Sequence, residues 1–244
     1  MLVLPAYREL ERLPRYLSSL TQALSGAPWR TDVVVVDDGS PAAEQEALLA
    51  LVRPALHGNC RVAAPILLGR NRLKGDAILE GWRSGPARWL AFADSDGAAS
   101  AAEVLRVLGG IPRGDAPPAA YFAVRRGNGP GGSRRTATRR LLGRVFSRLA
   151  GLVLGVRPID FQCGFKVIPG SVLPRIADGI QGRGLCFDLA LFVALRREGV
   201  AVREVAIQWN EMPGGTISPW RNGPGMIAGL LSIAVRGLGR GSRP

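Results

Sequence analysis

The stretch Trp89-Leu90-Ala91-Phe92-Ala93-Asp94-Ser95-Asp96-Gly97 joins a short apolar run to two carboxylates that stand one residue apart. The run predicts a buried strand, because it is brief, rich in aromatic residues and bounded by turn-forming residues. Side chains alternate along an extended backbone, so Asp94 and Asp96 point to the same side. Two such carboxylates repel each other unless a cation such as Mg²⁺ or Mn²⁺ lies between them. On these residues alone, a metal site and a solvated turn are both open interpretations.

Strand-like and helix-like segments alternate on either side of this stretch. Strands are predicted at residues 2–4, 31–36, 61–68, 89–93, 121–124 and 202–209, and helices at residues 9–24, 42–56, 76–83, 100–108, 187–197 and 225–235. This alternation predicts an α/β fold with a mostly parallel, doubly wound sheet that carries helices on both faces. Ligands of such sheets bind at the carboxyl ends of the strands, where Asp94 and Asp96 would stand.

A second acidic pair, Asp37-Asp38, ends the predicted second strand and would face the same sheet edge. No G-x-G-x-x-G follows the first strand, which excludes the usual dinucleotide-binding motif. An acidic edge suits the hydroxyls of a ribose together with a metal-held diphosphate. Asn71 and Lys74 lie in a third strand-to-helix loop, where a cation and a helix N-terminus could contact phosphate. An ordinary surface position for Lys74 is also open.

The chain has 244 residues and a formal net charge of +13, which indicates an anionic partner such as nucleic acid, a phosphorylated substrate or a membrane surface. Only Lys74 and Lys166 among the 32 basic residues are lysines, a skew that is also typical of GC-rich coding sequences. The three cysteines are irregularly spaced, which gives neither a disulfide framework nor a zinc site and favours a reducing cytoplasm. No signal peptide is expected, and no uncharged stretch reaches the roughly 20 residues of a membrane span.

The second half of the chain is rich in arginine. On a helix over residues 134–149, Arg140, Arg144 and Arg148 form one stripe beside an apolar band. A basic amphipathic helix of this kind is typical of proteins at a membrane surface. A helix that docks on its own core and leaves the arginine face solvated is also open. The apolar segment at residues 225–235 predicts a second short helix near the C-terminus.

Together these motifs resemble those of the family-2 glycosyltransferases of GT-A fold, and most closely those of the dolichyl- or polyprenyl-phosphate β-glucosyltransferases and related mannosyltransferases. In the first half, the resemblance is carried by Pro5-Ala6-Tyr7-Arg8-Glu9 (P-A-Y-N-E in the family), Val36-Asp37-Asp38-Gly39-Ser40 (V-D-D-G-S), Asn71-Arg72-Leu73-Lys74-Gly75 (N-x-G-K-G) and Asp94-Ser95-Asp96-Gly97-Ala98 (the metal-binding D-A-D-G-A).

In the second half, Asp160-Phe161-Gln162-Cys163-Gly164-Phe165-Lys166 is similar to the D-T-Q-C-G-F-K of the glucosyltransferase branch. Phe187-Asp188 and Trp209-Asn210-Glu211 are similar to that branch's later F-D-V-E and W-x-E-x-x-G-S. The chain departs from the family patterns at Arg8, Leu73 and Phe161, where the family has Asn, Gly and Thr. The order and spacing of the motifs extend the resemblance over nearly the whole chain.

The resemblance implies one GT-A domain over residues 1–244, a Rossmann-like fold with a mostly parallel sheet, helices on both faces and C-terminal amphipathic helices. Its nucleotide-sugar-binding half would span residues 1–125, its acceptor half residues 126–220, and a short helix and tail residues 221–244. The implied activity is the inverting transfer of a hexose from UDP-glucose or GDP-mannose to a polyprenyl or dolichyl phosphate at the cytoplasmic membrane face. The Q-C-G-F-K stretch and Ala98, which cannot supply a third polar metal contact, favour glucose.

The resemblance also implies the residues of the site. Asp94 and Asp96 would hold Mg²⁺ or Mn²⁺. The nucleotide-sugar would be bound by Pro5, Tyr7, Glu9, Asp37, Asp38, Lys74 and Asp94, and the acceptor phosphate by Arg125, Arg135 and Arg140. The catalytic group would consist of Asp94, Asp96, Asp160, Gln162 and Lys166. Because a phosphate acceptor is already largely ionised near neutral pH, it needs positioning more than a strong general base.

Three other functions remain open on the same residues. A family-2 transferase with a soluble or protein-linked acceptor would use the same donor site. A nucleotidyltransferase would also use a metal-binding carboxylate pair. A nucleic-acid-binding module would explain the positive charge, but no nucleic-acid-binding motif is visible, aromatic residues are few and the acidic strand ends would repel phosphate. No nucleic-acid partner is therefore expected.

Overall fold

A computed structural model of the protein describes residues 1–114, 119–125, 148–152, 160–210, 212 and 225–233. A nine-stranded sheet lies at the centre of this described part. Its strands are β1 (Leu2–Ala6), β2 (Thr31–Asp37), β3 (Ala55–His57), β4 (Cys60–Val62), β5 (Ile66–Leu67), β6 (Trp89–Ala93), β7 (Ala119–Arg125), β8 (Phe165–Pro169) and β9 (Ala201–Ile207). They follow the order β3-β4-β2-β1-β6-β8-β7-β9, and β5 pairs with β2.

The pairing of these strands is mostly parallel, as predicted. Strand β1 is parallel to both β2 and β6, so the ends of β2 and β6 reach the same sheet edge. Strand β8 is antiparallel to its neighbours β6 and β7. It comes from the Q-C-G-F-K motif, which the alternation of segments did not predict as a strand. Because β8 lies between β6 and β7, the two predicted halves of the chain share one sheet.

Eight α-helical segments accompany the sheet in the described residues. They are α1 (Leu13–Ser25), α2 (Ala42–Leu51), α3 (Lys74–Arg83), α4 (Ala101–Gly109), α5 (residues 148–152), α6 (Leu173–Ile180), α7 (Phe187–Arg197) and α8 (residues 225–233). None of the helices within the described ranges combines the length and apolarity that crossing a membrane requires. Most of the basic helix predicted at residues 134–149 lies outside the described residues.

Proline explains two differences between the predicted and the observed elements. The helix predicted over residues 42–56 ends at Leu51, and Ala55–His57 instead form β3. Pro54 stands between them, and proline disfavours helical backbone at the residue before it. The strand predicted over residues 61–68 is divided into β4 and β5. Pro65 lies in the gap, where its missing N–H cannot join a ladder.

The sheet separates two apolar clusters, which confirms helices on both of its faces. Along β6, Leu90 and Phe92 belong to the cluster that includes residues of α3, α6 and α7, whereas Ala91 and Ala93 belong to the cluster that includes residues of α1 and α4. Burial on both faces explains why β6 is apolar throughout rather than alternating. Asp94, the first residue after this strand, is polar and only half-buried, so the chain leaves the core at this residue.

Candidate active site

The two aspartates at the end of β6 are held by backbone hydrogen bonds. The N–H of Asp94 donates to the carbonyl oxygen of Gly164 at 2.8 Å, and the N–H of Ala98 donates to Asp96 Oδ1 at 3.0 Å. A Cβ at Gly164 would lie only 1.9 Å from Asp94 Oδ2. The glycine of the Q-C-G-F-K motif therefore allows the backbone to approach the Asp94 carboxylate directly.

A tyrosine from α1 fixes the rest of this loop. The hydroxyl of Tyr16 donates to the carbonyl oxygen of Ala99 at 2.7 Å. Its ring lies 3.2 Å from the place a Cβ would take at Gly97, which has a φ of +79°. Burial, and then the charges of Asp94 and Asp96, raise the pKa of the Tyr16 phenol, so it remains a neutral donor. The sequence identified Tyr16 only as part of a helix, because nothing local links it to a loop 83 residues away.

Three carboxylates influence one another at this sheet edge. Burial raises the pKa of Asp96, and the negative charge of Asp94 raises it further. Burial also raises the pKa of Glu9, with added repulsion from Asp96 and Asp94. Arg12 offsets part of this charge, since its Nε donates to Glu9 Oε2 at 2.8 Å.

A divalent cation fits this arrangement. Carboxylate oxygens are the ligands that Mg²⁺ and Mn²⁺ prefer, and a cation here relieves the repulsion that raises the pKa of Asp96. The described part of the chain contains no group of three or more His, Cys, Asp or Glu side chains set to hold a metal by themselves. Asp94 and Asp96 are therefore suited to a cation that takes its remaining ligands from a substrate or from water.

Lys74, the first residue of α3, contacts Asp94 and faces a further carboxylate, Asp188. Its Nζ lies 2.6 Å from Asp94 Oδ1 and 4.0 Å from Asp188 Oδ2. Burial lowers the pKa of Lys74, but the charges of Asp94 and Asp188 outweigh burial and raise it, so the ammonium group stays charged at neutral pH. Gly75 lets α3 approach Phe187, since a Cβ there would lie 2.6 Å from that side chain.

The second lysine lies behind the first, inside the core. Lys166 is fully buried, and its Nζ donates to the carbonyl oxygen of Cys163 at 2.7 Å and lies 2.7 Å from Asp188 Oδ1. The rings of Phe92 and Phe122 flank the ammonium group at 5.3 and 5.1 Å. In this position Lys166 contacts Asp188 and does not reach the open edge. The motif Phe187-Asp188 was noted in the sequence, but it gave Asp188 no role.

Asp160 and Arg125 form an ion pair beside β8. Arg125 Nη2 donates to Asp160 Oδ1 at 2.6 Å, and the Arg125 guanidinium lies 5.8 Å from the centre of the Trp209 ring. Burial raises the pKa of Asp160, but the hydrogen bond and charge of Arg125 outweigh it, and the pKa is lowered overall. Gln162 is exposed and contacts Met226 of α8 at 3.8 Å. Arg135 and Arg140 lie outside the described residues.

The remaining predicted donor-site residues surround the Asp-Asp-Gly-Ser loop after β2. Asp37 Oδ2 accepts hydrogen bonds from the Ser40 N–H at 2.9 Å and from Gln45 Nε2 at 2.8 Å. Asp38 Oδ1 accepts one from the N–H of Arg72 at 2.7 Å. Burial raises the pKa of Asp38. Both carboxylates therefore order the loops around them, and Gln45, which the sequence did not single out, supports Asp37.

The loop after β1 completes this edge. The N–H of Arg8 donates to the hydroxyl of Ser40 at 3.0 Å, which ties the Pro5–Glu9 motif to the Asp-Asp-Gly-Ser loop. Pro5 is buried within β1, and the Tyr7 side chain is exposed. The structure thus brings Asp38 and Lys74 to the edge that carries Asp94, as the parallel strands predicted, and places Tyr7 and Glu9 in the loop beside them.

A mostly parallel sheet with a carboxylate pair after β6 and a second acidic loop after β2 has the architecture of the GT-A glycosyltransferases that the sequence resembles. Residues 1–168 match the family described as glycosyl transferase family 2. The chain belongs to this family, and it is a glycosyltransferase, as the sequence resemblance predicted.

Individual relatives agree with this assignment. The chain is 30% identical over 254 residues to the dolichyl-phosphate beta-glucosyltransferase of Drosophila melanogaster, covering 97% of this chain and 74% of the relative. It is 26% identical over 217 residues to the undecaprenyl-phosphate mannosyltransferase of Micrococcus luteus, covering 86% of this chain and 82% of the relative.

A solved structure confirms the fold. The chain is similar to glucosyl-3-phosphoglycerate synthase from Mycobacterium tuberculosis in complex with Mg²⁺ and uridine-diphosphate, with a TM-score of 0.67 and 17% identity over 96% of this chain and 78% of that chain. Another crystal structure of that enzyme contains Mn²⁺, uridine-diphosphate and phosphoglyceric acid. The neighbours thus share the GT-A fold predicted for this chain.

Proposed function

We propose that the protein transfers a hexose, with inversion, from a nucleotide-sugar to a polyprenyl or dolichyl phosphate, and that the hexose is glucose. The observation that carries the proposal is the convergence of Asp94, Asp96 and Lys74 with the Asp37-Asp38 loop on one sheet edge. The relatives named above act on dolichyl phosphate and undecaprenyl phosphate, which supports a lipid-phosphate acceptor. Ala98 follows the aspartate pair and offers no third polar contact, which supports glucose over mannose.

In this proposal the donor lies along the edge formed by the loops after β1, β2 and β6. Pro5, Tyr7 and Glu9 border the nucleoside, and Asp37 and Asp38 shape its loop. Asp94 and Asp96 would hold Mg²⁺ or Mn²⁺ beside the diphosphate. When bound, the cation supplies electrostatic stabilisation of the departing nucleotide diphosphate. Lys74 adds a positive charge within reach of the same diphosphate.

The acceptor side lies next to β8. Arg125, Arg135 and Arg140 are proposed to bind the acceptor phosphate, because guanidinium groups donate charge-assisted hydrogen bonds to phosphate oxygens. Asp160 holds Arg125 in place through their ion pair. Gln162 borders the acceptor and Lys166 acts from the core through Asp188. Residues 1–125 would then serve mainly the donor and residues 126–220 mainly the acceptor, within one domain over residues 1–244.

A membrane surface is the place where such an acceptor is found. Helices α5 and α8 both pack on the same apolar cluster, through Ala150 and Leu230. Leu152 is 82% exposed on α5 and Leu231 is 53% exposed on α8. Apolar side chains on amphipathic helices insert at the boundary between headgroups and acyl chains. We therefore propose peripheral attachment through this face, helped by the arginines at residues 134–148.

The test is a transfer assay with radiolabelled UDP-glucose or GDP-mannose, a polyprenyl phosphate in detergent, and Mg²⁺ or Mn²⁺. We expect a lipid-extractable glucose product that is lost with Asp96→Ala and with a metal chelator. Labelled mannose in the lipid product would show that the donor is GDP-mannose and not UDP-glucose. Transfer to 3-phosphoglycerate without any lipid product would overturn the proposed acceptor. Full activity of Asp96→Ala would show that Asp96 does not hold a metal that the reaction needs.

A further inference from the structure

Four side chains of alternating charge form a line from the core to the open edge of the sheet. They are Lys166 on β8, Asp188 on α7, Lys74 on α3 and Asp94 after β6. The separations between successive nitrogen and oxygen atoms are 2.7, 4.0 and 2.6 Å. The line links the aspartate proposed to hold a metal with the buried ion pair of Lys166 and Asp188.

The inner end of this line is fixed. Lys166 has no exposed surface, and two aromatic rings flank its ammonium group. A buried charge without a partner is strongly destabilising, so Asp188 is held beside Lys166 by the cost of separating them. Asp188 therefore offers its second oxygen, Oδ2, from a fixed position toward Lys74.

The outer end of the line is adjustable. The Lys74 side chain is 27% exposed and carries its charge on a flexible four-carbon stem. Its ammonium group now contacts Asp94 Oδ1, one of the oxygens proposed to bind a metal, while Asp188 lies 4.0 Å away on the other side. An ammonium group and a divalent cation repel each other when they share one carboxylate oxygen. When a divalent cation binds Asp94, the Lys74 ammonium group can form an ion pair with Asp188 instead.

We propose that Lys74 is an internal counter-cation of Asp94 that competes with the divalent metal, and that Asp188 is the positioning residue that receives Lys74 when the metal binds. The inference rests on the metal site of the proposed function. Without metal, Lys74 neutralises Asp94 and keeps its carboxylate oriented. With metal, the shift of Lys74 toward Asp188 frees Asp94 Oδ1 for the cation.

The first test measures the binding of Mn²⁺ alone, by loss of the electron paramagnetic resonance signal of free Mn²⁺. We expect Lys74→Met to bind Mn²⁺ about tenfold more tightly than the unaltered protein, because the competing charge is gone. Arg72→Met is the matched control. It removes a like charge two residues away, but the Arg72 guanidinium lies 3.8 Å from Glu80 rather than at Asp94. Its Mn²⁺ affinity should stay within about twofold.

The second test asks whether Asp188 acts through Lys74. In the unaltered background, Asp188→Asn should weaken Mn²⁺ binding about threefold or more, because Lys74 loses its alternative carboxylate. In the Lys74→Met background, Asp188→Asn should have no effect on Mn²⁺ affinity. Asp188→Asn alone can fail to fold, because it leaves the buried charge of Lys166 without its counter-ion. In that case the double variant Lys166→Met, Asp188→Asn removes both charges of the buried pair. Its Mn²⁺ affinity is then compared with and without Lys74→Met.

The outcomes separate this inference from the metal site itself. Equal Mn²⁺ affinities of Lys74→Met and the unaltered protein would overturn the competition while leaving the metal site intact. An equal loss from Asp188→Asn in both backgrounds would give Asp188 a purely structural role and overturn its function as receiver. Absence of Mn²⁺ binding to every variant, with UDP present as well, would overturn both the inference and the proposed metal site.

Discussion

Arg8 and Leu73 both have a positive φ, 56° and 69°, and they lie on the two loops whose backbone N–H groups donate to the Asp-Asp-Gly-Ser loop. They are the non-glycine residues of positive φ in the described chain. They also stand where the resembled motifs carry Asn and Gly, the residues that tolerate this conformation best. Two of the three departures noted in the sequence thus mark local backbone strain beside the donor edge.

Leu73→Gly should therefore stabilise the protein. Leu73 combines its φ of 69° with a ψ of 158°, a region that is nearly exclusive to glycine and costs other residues about 1–3 kcal/mol. Relief of this strain is partly offset, because glycine increases the conformational entropy of the unfolded chain. The side chain is 47% exposed, so little packing is lost. We expect the free energy of unfolding in urea to rise by about 1 kcal/mol.

Leu73→Ala is the control for this change, because alanine removes most of the side chain but keeps the Cβ that causes the strain. It should bring no gain in the free energy of unfolding. If Leu73→Gly is no more stable than Leu73→Ala, the backbone at residue 73 is not strained.

Gly164→Ala should disable the enzyme through Asp94. The added Cβ would lie 1.9 Å from Asp94 Oδ2, so the carboxylate or the backbone of β8 must move. Displacement of a reacting geometry by about 1 Å costs on the order of 100-fold in rate. We expect a loss of that size in sugar transfer, together with weaker Mn²⁺ binding, measured by the transfer assay and by electron paramagnetic resonance.

Gly179→Ala on α6 provides the matched comparison, since no atom lies within 4 Å of the Cβ it would add. Its activity should equal that of the unaltered protein. Comparable losses in the two variants would mean that contact with Asp94 is not the reason for glycine at position 164.

The position of the aspartate pair was predictable from the sequence, whereas the residues of other elements that hold the surrounding loops in place were not. An apolar run that ends in Asp94 and Asp96 has a local signal, because a strand buried on both faces is apolar throughout. Strand β8 lacks that signal, since it contains Lys166 and its motif is interrupted by Gly164. The partner that permits Lys166 to be buried, Asp188, lies on another element, and no local pattern records such a pairing. For the same reason Tyr16 was recognised only as a helix residue.

Asp160→Asn should lower stability at neutral pH, and the loss should shrink in acid. Arg125 holds the pKa of Asp160 below its ordinary value. A lowered carboxyl pKa contributes stability above the unfolded-state pKa of about 3.9, and this contribution disappears as pH falls through the folded-state value. We expect the variant to lose about 1–3 kcal/mol of unfolding free energy at pH 7. Urea unfolding between pH 7 and pH 3 should show the two proteins converging below about pH 4.

Asp178→Asn, at an exposed aspartate of α6, is the corresponding control and should change the unfolding free energy little at any pH. A difference between Asp160→Asn and the unaltered protein that stays constant down to pH 3 would show that the charge of Asp160 is not what stabilises the fold.

Leu231→Glu should weaken binding to membranes without affecting the fold. Leu231 is 53% exposed on α8, next to the similarly exposed Ile227 one turn earlier. A carboxylate at this face cannot enter the apolar boundary of a bilayer and is repelled by anionic headgroups.

Leu51→Glu is a closely matched control, because Leu51 is also 53% exposed but lies at the end of α2. In sedimentation with vesicles of phosphatidylcholine and phosphatidylglycerol, Leu231→Glu should bind several-fold more weakly, whereas Leu51→Glu should bind as the unaltered protein does. Equal binding of all three would exclude α8 from the membrane face and leave attachment to the arginine-rich residues 134–148.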